Sequence, residues 1–584
     1  MTKAHTLVSI VDNSIENFGD RIAVKSEITG ESWTYYQLRE KSLSVANALV
    51  KSGVKRGDYV AIISDNKPEF VFGDYGVLYT GAVSVPIDQN LRPGDLLKDY
   101  LRFLNPNLKA ILVEEKYRTK VKKYNENVQL ISLEEALKEE PIRPDLEISE
   151  DDIATIIFSS GTTSESERAF KSIMLSHENI ASNVLAAEFL TSRVEKIDKK
   201  GQGIYMAGIA RHWHSFEYMV QKAFLQAGAL LHFTNVQRIQ KRNSGAEINP
   251  HYTIMIPKFA NILMNGVKEQ IKNKGEKTYK LFNRFLENSN AYNYNRANNG
   301  KFSLKKCLFH QVAEQLFYKK IRKELEKKFG ENLIYIVGGS APLPLETQLF
   351  FWSIGLPIYQ GYGLTETSPV VSVNTPEENR FGSSGKLIKG VEILIADTEE
   401  IKKGRIKVLE DSKDGVILVK GKNVSKGYLN DEKKTMASFV EGWFNTEDLG
   451  HMKEGYLYVT GREKDLICLS TGEKINPLPI ETNYSAEGLN VILVGNNQSK
   501  AGVLVIPDEK MNSEIKNRGL EEITNSVLSL LSESSKRFGI GFSSKNIAVI
   551  TDFNEHQELI SGTMKTRRRL VEHRYLELIK QICN

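Results

Sequence analysis

Short, unbroken apolar runs recur along the first part of the chain with helical patterns between them. Tyr59-Val-Ala-Ile-Ile63 precedes a helical stretch from Pro68 to Leu78, and Ala82-Val-Ser-Val-Pro86 follows it. Tyr100 to Leu104 reads as helix and Ala110-Ile-Leu-Val113 as the next strand. Ala154-Thr-Ile-Ile-Phe158, Tyr252-Thr-Ile-Met-Ile256 and Leu333-Ile-Tyr-Ile-Val337 repeat the strand pattern. Strands without polar alternation need cover on both faces. The fold class is therefore α/β, with sheets and helices in stacked layers.

The texture changes near Gly390. Val391-Glu-Ile-Leu-Ile395, Arg405-Ile-Lys-Val408 and Val416-Ile-Leu-Val419 predict a small antiparallel β subdomain over about 390–460. A second change at Gly461-Arg462 leaves about 120 residues, enough for one further compact domain. The expected division is a large body over 1–461 and a small α+β domain over 462–584. The uncharged stretch Thr347 to Thr365 holds Gln348, Ser353, Pro357 and Gln360, which suits a buried helix, turn and strand better than a membrane span.

Composition excludes several classes. With 41% hydrophobic and 26% charged residues the chain is not disordered. Its net charge of 78 − 73 = +5 over 584 residues calls for no nucleic acid. Cys307, Cys468 and Cys583 are isolated, supporting neither a disulfide framework nor a zinc site. Met1-Thr2-Lys3-Ala4-His5 lacks the plan of a signal peptide, so the expected location is cytoplasmic. Between Lys268 and Lys328 lies a segment expected to be helical and locally basic, with Lys268, Lys272, Lys274, Lys277, Lys280 and Arg284. A solvated insertion is one reading of it. Peripheral contact with anionic lipid, on the inner face of a membrane, is the other, and needs an apolar face beside the charges.

Three local signals carry chemistry. In Ile156-Ile-Phe-Ser-Ser-Gly-Thr-Thr-Ser164 a strand enters a loop of hydroxyls and glycine. Ser159, Ser160, Gly161, Thr162, Thr163 and Ser164 can cradle phosphate oxygens, and Lys171 can pair with them. The Gly-Lys-Ser/Thr ending of a Walker loop is absent, since Phe170 precedes Lys171. In Gln360-Gly-Tyr-Gly-Leu-Thr-Glu-Thr-Ser-Pro369, Gly361 and Gly363 flank Tyr362, and Thr365 and Glu366 set a hydroxyl beside a carboxylate, as phosphate and Mg²⁺ require. In Gly442-Trp-Phe-Asn-Thr-Glu-Asp448, with Gly461-Arg462 beyond it, Asp448 can accept both hydroxyls of a ribose and Arg462 can donate. Each also has a plain alternative: a Ser/Thr turn, a strand-ending turn, and a salt bridge at a domain edge. His212-Trp-His214 could be a metal pair, but no third ligand is evident.

Taken in order, these signals resemble the adenylate-forming superfamily of acyl-CoA synthetases, luciferases and peptide-synthetase adenylation domains. Ser160-Gly-Thr-Thr163 and Ile173-Met-Leu-Ser-His177 match two halves of its phosphate loop. Tyr362-Gly-Leu-Thr-Glu366 matches Tyr-Gly-x-Thr-Glu, and Trp443-Phe-Asn-Thr-Glu-Asp448 resembles Trp-Phe-x-Thr-Gly-Asp. Gly461-Arg-Glu-Lys-Asp465 resembles the family hinge, and Thr563-Met-Lys-Thr-Arg567 the loop of its catalytic lysine. The resemblance runs from Thr34-Tyr-Tyr-Gln-Leu38 to the C-terminus. His214-Ser-Phe-Glu217, Val337-Gly-Gly-Ser-Ala-Pro342 and the basic insertion are similar to the long-chain fatty acyl branch.

That resemblance implies an AMP-forming ligase that joins a long-chain fatty acid to CoA through an acyl adenylate, using ATP and Mg²⁺. It implies catalytic roles for Lys565, Glu366, Thr365 and His214, and Mg²⁺ held by Glu366 and Thr162. Gly339, Ser340, Ala341, Gln360 and Tyr362 would line adenine, while Asp448 and Arg462 fix the ribose. The C-terminal domain would rotate about Lys464, presenting the Gly472 loop for the thioester step. Two departures bear on nucleotide binding. Ser164-Glu-Ser-Glu-Arg-Ala-Phe-Lys171 is longer than the family loop and brings in Glu165 and Glu167. One such charge about 4 Å from a phosphate costs on the order of 4 kcal/mol at an effective dielectric of about 20. Glu447 stands where the family usually has glycine. An acyl carrier protein as acceptor, or a binding protein without turnover, are the alternative expectations.

Overall fold

The computed structural model describes residues 5–90, 96–124, 128–160, 170–187, 190, 202–242, 248–301, 303–535, 541–553, 556, 559 and 566–584. Two large sheets form the first body. In one, parallel strands Ile22–Ser26, Leu230–Phe233, Ile204–Ala207, Tyr252–Met255, Tyr335–Gly338 and Ile358–Gly363 lie side by side. Antiparallel Ser32–Thr34 closes one edge, and Val370–Val373 with Lys386–Leu387 the other. The second sheet has parallel strands Val83–Pro86, Tyr59–Ile63, Leu108–Val113 and Gln129–Ser132 beside Ile153–Ser160, with antiparallel Phe170–Ser176 and Gly427–Tyr428 outermost.

The apolar runs explain this layering. Helices Leu7–Phe18, Tyr35–Lys51, Pro68–Tyr79, His177–Ala186 and Ser215–Gln226 share one core with both sheets and so lie between them. Leu96–Leu104 and Glu115–Lys122 cover the far side of the second sheet. Helices between Pro257 and Ser353 cover the far side of the first. Local chemistry sets the helix starts. Thr34 Oγ1 accepts the Gln37 N–H at 3.2 Å and Gln37 Oε1 accepts the Thr34 N–H at 2.9 Å, a reciprocal cap. The uncharged stretch resolves into helix Leu345–Ser353, a turn at Gly355 and strand Ile358–Gly363, as the sequence predicts.

A buried ion pair ties two middle helices together. Lys222 Nζ lies 2.6 Å from Asp74 Oδ2, and the other Asp74 oxygen accepts from Ser84 Oγ at 2.6 Å and Tyr218 Oη at 3.0 Å. The pair is 6% and 1% exposed, and the ammonium stands 3.6 Å from the Tyr218 ring centre.

The β subdomain is present as Val391–Ala396, Gly415–Gly421, Phe439–Val440, Trp443–Lys453 and Tyr456–Arg462. Arg405-Ile-Lys-Val408 does not form the expected strand. It makes one isolated bridge, Val408 to Ala396, on the outer edge of Val391–Ala396, and leaves Val408 56% exposed, so the segment has little to bury there. The basic insertion is not merely a solvated face. Phe282, Phe285, Leu286, Ile321, Leu325 and Phe329 of its helices are buried in the core behind the first sheet. In the C-terminal part, strands Asn490–Val494, Gly502–Ile506 and Ile547–Val549 form a small sheet. Val491 and Leu493 pack on helices Pro477–Ala486 and Leu520–Ser535, and Ile492 and Val494 on Arg568–Arg574 and Leu576–Cys583, as strand alternation requires.

Candidate active site

A cleft of about 2990 Å³ opens at the carboxyl ends of the parallel strands of the first sheet and reaches the C-terminal domain. Such strand ends are where open α/β sheets bind ligands. The chain leaves strand Tyr335–Gly338 into Gly339, Ser340 and Ala341, with Ser340 at φ 69°. A Cβ on Gly339 would stand 3.1 Å from the Phe216 ring, so glycine brings bare backbone to the cleft. Gln360 donates from Nε2 to the Gly361 carbonyl at 2.9 Å, while its Oε1 is buried without a partner among the described residues. A buried lone acceptor beside the Gly339 loop suits a ligand N–H donor such as an adenine amino group.

Below it stands a buried carboxylate. Asp448 pairs across the ladder with Arg462. Arg462 Nε donates to Asp448 Oδ1 at 2.6 Å and Tyr362 Oη to Oδ2 at 2.9 Å. The Asp448 charge and the hydrogen bond from Arg462 hold the guanidinium protonated, and burial with Asp448 pushes the Tyr362 hydroxyl well above its usual range. The salt bridge and the candidate ribose acceptor are thus the same group, since each oxygen keeps a lone pair for a further donor. Glu447 is a second carboxylate near these groups, and its charge acts on the Tyr428 hydroxyl. Its φ is 60°, which explains why glycine suits the position, and its Oε1 is 2.7 Å from Lys464 Nζ at the expected hinge.

The third group centres on Glu366, 7% exposed in the short helical turn Thr365–Thr367. Its Oε1 accepts from Tyr428 Oη at 3.0 Å and lies 3.7 Å from Lys171 Nζ, while Oε2 has no partner among the described residues. An open oxygen on one carboxylate fits Mg²⁺, which takes one or two protein carboxylates and fills its shell with phosphate and water. Gly363 allows the turn: a Cβ there would lie 1.8 Å from the Pro369 carbonyl oxygen. Thr365 Oγ1 sits 3.2 Å from Ser215 Oγ, at the start of the helix that His214 caps by accepting the Phe216 N–H at Nδ1, 3.3 Å. Ser159 lines the cleft opposite, paired in the ladder with Lys171. Gly161, Thr162, Thr163, Ser164, Glu165, Glu167 and Lys565 lie outside the described residues, as does the side chain of Ser160.

No third ligand joins His212 and His214 among the described residues. His212 is buried 4.1 Å from the Phe70 ring, both ring nitrogens lack partners among the described residues, and burial lowers its pKa to about 3. No described group of three His, Cys, Asp or Glu side chains could hold a metal by itself. Glu217, from the same motif, is wholly buried and holds Tyr205 Oη and Gln221 Nε2 at 2.8 Å each. Burial raises its pKa from 4.5 to about 7. The folded chain therefore binds this proton more tightly than the unfolded one. The stabilisation is complete below about pH 4.5 and is lost as pH rises through 7. Glu217→Gln is expected to remove this component. The wild-type minus variant difference in unfolding free energy should then slope downward by up to about 1.4 kcal/mol per pH unit between these values. Parallel curves from denaturant titrations would refute it.

The C-terminal domain supplies the remaining wall. Thr566, Arg567, Arg568 and Arg569 line the cleft, and the Arg567 charge acts on the buried Tyr100 hydroxyl across it. Arg568 is pinned by Glu481 and by the Leu493 carbonyl. Asn261 Nδ2 donates to Ser485 Oγ at 2.8 Å, joining the two parts. Gly472 sits at φ 87° in the turn between the paired strands Ile467–Cys468 and Lys474–Ile475, with open space where a Cβ would be. Sequence reasoning passed over Tyr428, Ser215 and Arg568. Only Arg568 had a local signal, its position three residues after Lys565.

The chain is 28% identical to probable acyl-activating enzyme 16, chloroplastic, of Arabidopsis thaliana, covering 98% of this chain and 88% of that protein. It is 26% identical to the long-chain-fatty-acid–[acyl-carrier-protein] ligase AEE15, chloroplastic, of the same plant, over 98% and 85%. It is 25% identical to the long-chain-fatty-acid–CoA ligase FadD15 of Mycobacterium bovis, over 93% and 90%. The fold matches ATP-bound MatB from Rhodopseudomonas palustris with a TM-score of 0.70 at 20% identity, covering 98% of this chain and all of that one. The AMP-binding enzyme family matches residues 11–429 and the AMP-binding enzyme C-terminal domain matches 464–584, so the chain belongs to the AMP-binding enzyme family.

Proposed function

We propose that the chain is an AMP-forming ligase that activates a long-chain fatty acid as its acyl adenylate and passes the acyl group to the thiol of CoA. The observation that carries this reading is the meeting of Asp448–Arg462–Tyr362, of Lys171 with Glu366, and of the segment after Lys565 on one cleft, with Tyr428 holding Glu366 from behind. The first step joins a carboxylate to the α-phosphorus of ATP and releases pyrophosphate, so cations must offset converging negative charge. Lys565 bridges the carboxylate and the α-phosphate, and Lys171 with the Ser159–Ser164 hydroxyls holds the departing pyrophosphate. Glu366 and Thr162 would hold Mg²⁺, which would supply charge neutralisation on the phosphates. Asp448 accepts the ribose hydroxyls, Gln360 takes the adenine amino group, and the Tyr362 ring faces the base. Thr365 and His214 order the carboxylate end of the acyl pocket. The chain bends at Lys464 between the two steps, bringing the Gly472 loop to the thiol. The acyl chain follows the apolar wall of Val337, Leu343, Val373 and Ile262.

A carrier protein's phosphopantetheine thiol is the second reading, favoured by AEE15, which this chain matches over 98% of its length. No described helix is long and apolar enough to cross a membrane. A cytoplasmic protein in peripheral contact with the anionic inner face of a membrane completes the proposal. The test is to incubate the protein with ATP, Mg²⁺ and palmitate and then offer CoA or a holo acyl carrier protein. Pyrophosphate release with palmitoyl-CoA is the expected result. Acyl transfer to the carrier alone selects the second reading, and absence of both pyrophosphate and adenylate removes the ligase assignment.

A further inference from the structure

The insertion carries an apolar face that the ligase chemistry does not use. From Leu304 to Phe329 the chain is one continuous helical run: Leu304–Ala313, a wider π-helical turn Glu314–Tyr318, and Lys319–Phe329. One side is committed to the core through Ala313, Tyr318, Ile321, Leu325 and Phe329. That burial fixes the opposite side outward. There Leu304, Leu308, Val312 and Leu316 are 66%, 52%, 47% and 47% exposed. A spacing of four places them in one stripe.

The charges beside the stripe are of one sign. Lys305, Lys319, Lys320 and Lys323 are exposed and form no ion pair among the described residues. From Lys301 to Lys323 the only acidic residue is Glu314, and it is bound to Arg322. Of the basic residues Lys268, Lys272, Lys274, Lys277, Lys280 and Arg284 that suggest a lipid contact in the sequence, the first two are not on this face. Both line the cleft instead, and Lys268 is 2.5 Å from Glu346. A second copy of this cationic face would repel the first, whereas a surface both apolar and anionic would satisfy the leucines and the lysines together. We propose that the Leu304–Leu316 stripe docks on an anionic lipid bilayer, its leucines entering the boundary between headgroups and acyl chains and its lysines meeting lipid phosphates. The surface places the enzyme where fatty acids partition, but docking itself needs neither ATP nor turnover.

Flotation of the full chain with vesicles tests this. The protein should float with phosphatidylcholine–phosphatidylglycerol vesicles, stay behind with phosphatidylcholine alone, and be released by salt. Leu308→Glu with Val312→Glu should lower the vesicle partition coefficient ~10-fold or more. Lys305→Glu with Lys319→Glu and Lys320→Glu should lower it ~100-fold. Vesicle-free pyrophosphate release should be unchanged in both, which shows that they fold. Failure of the wild type to float, or flotation of both variants like wild type, overturns the proposal. So does a dimer, or retention of an acidic carrier protein, that Leu308→Glu abolishes while vesicle binding is absent. Flotation without pyrophosphate release would remove the ligase reading and leave the docking surface standing.

Discussion

Lys565→Ala is expected to lower ATP-dependent acyl-adenylate formation by about 10²–10³-fold while leaving thioester formation from supplied acyl adenylate near wild type. The asymmetry follows from the charges. In the first step a carboxylate approaches a phosphate, and a cation between them is worth more in the transition state than in the separate reactants. In the second step the carbonyl is already activated and AMP departs, so that bridge is no longer needed. The chain is built to hold the segment in place. Immediately after Lys565, Thr566 and Arg567 enter the cleft, and Arg568 is fixed by Glu481, whose Oε1 also accepts the Leu493 N–H at 2.7 Å. Single-turnover assays of the two half-reactions decide the matter. Equal loss in both would withdraw the role assigned to Lys565 and point to a structural defect.

The largest loss of stability is expected from Lys222→Met. Removing the ammonium strands the Asp74 carboxylate, 1% exposed, in a low-dielectric core with only the Ser84 and Tyr218 hydroxyls. A broken buried pair costs about 3–5 kcal/mol, largely the penalty of the orphaned charge. Adding Asp74→Leu should therefore restore part of the loss, because no charge is then left buried. The midpoint of thermal unfolding for wild type, both single variants and the double variant measures this. A double variant no better than the Lys222→Met chain would mean that the two residues act independently.

Much of the architecture was legible in the residues. The apolar runs Tyr59–Ile63, Ala82–Pro86 and Ala110–Val113 became the parallel strands Tyr59–Ile63, Val83–Pro86 and Leu108–Val113, as unbroken hydrophobicity demands. Arg405–Val408 stopped at one bridge because its β-like composition says nothing of whether its side chains find a face to bury, and most of them stay exposed. Of the candidate site, the motifs named Tyr362, Glu366, Asp448 and Arg462, but no pattern named Tyr428, which holds Glu366 from 62 positions away.

By itself the sequence determined what depends on near neighbours: strand and helix type, caps, glycine turns, and the types of group available for phosphate chemistry. Tertiary structure alone decided how those groups pair. It set Lys171 beside Glu366, paired Glu447 with Lys464, and buried His212 against Phe70. It also chose which side of the 304–329 run faces solvent. The reason is physical. Local preferences act over one turn of helix or one strand pair, whereas burial and charge pairing depend on every element packed around a site, and those elements meet only when the chain is folded.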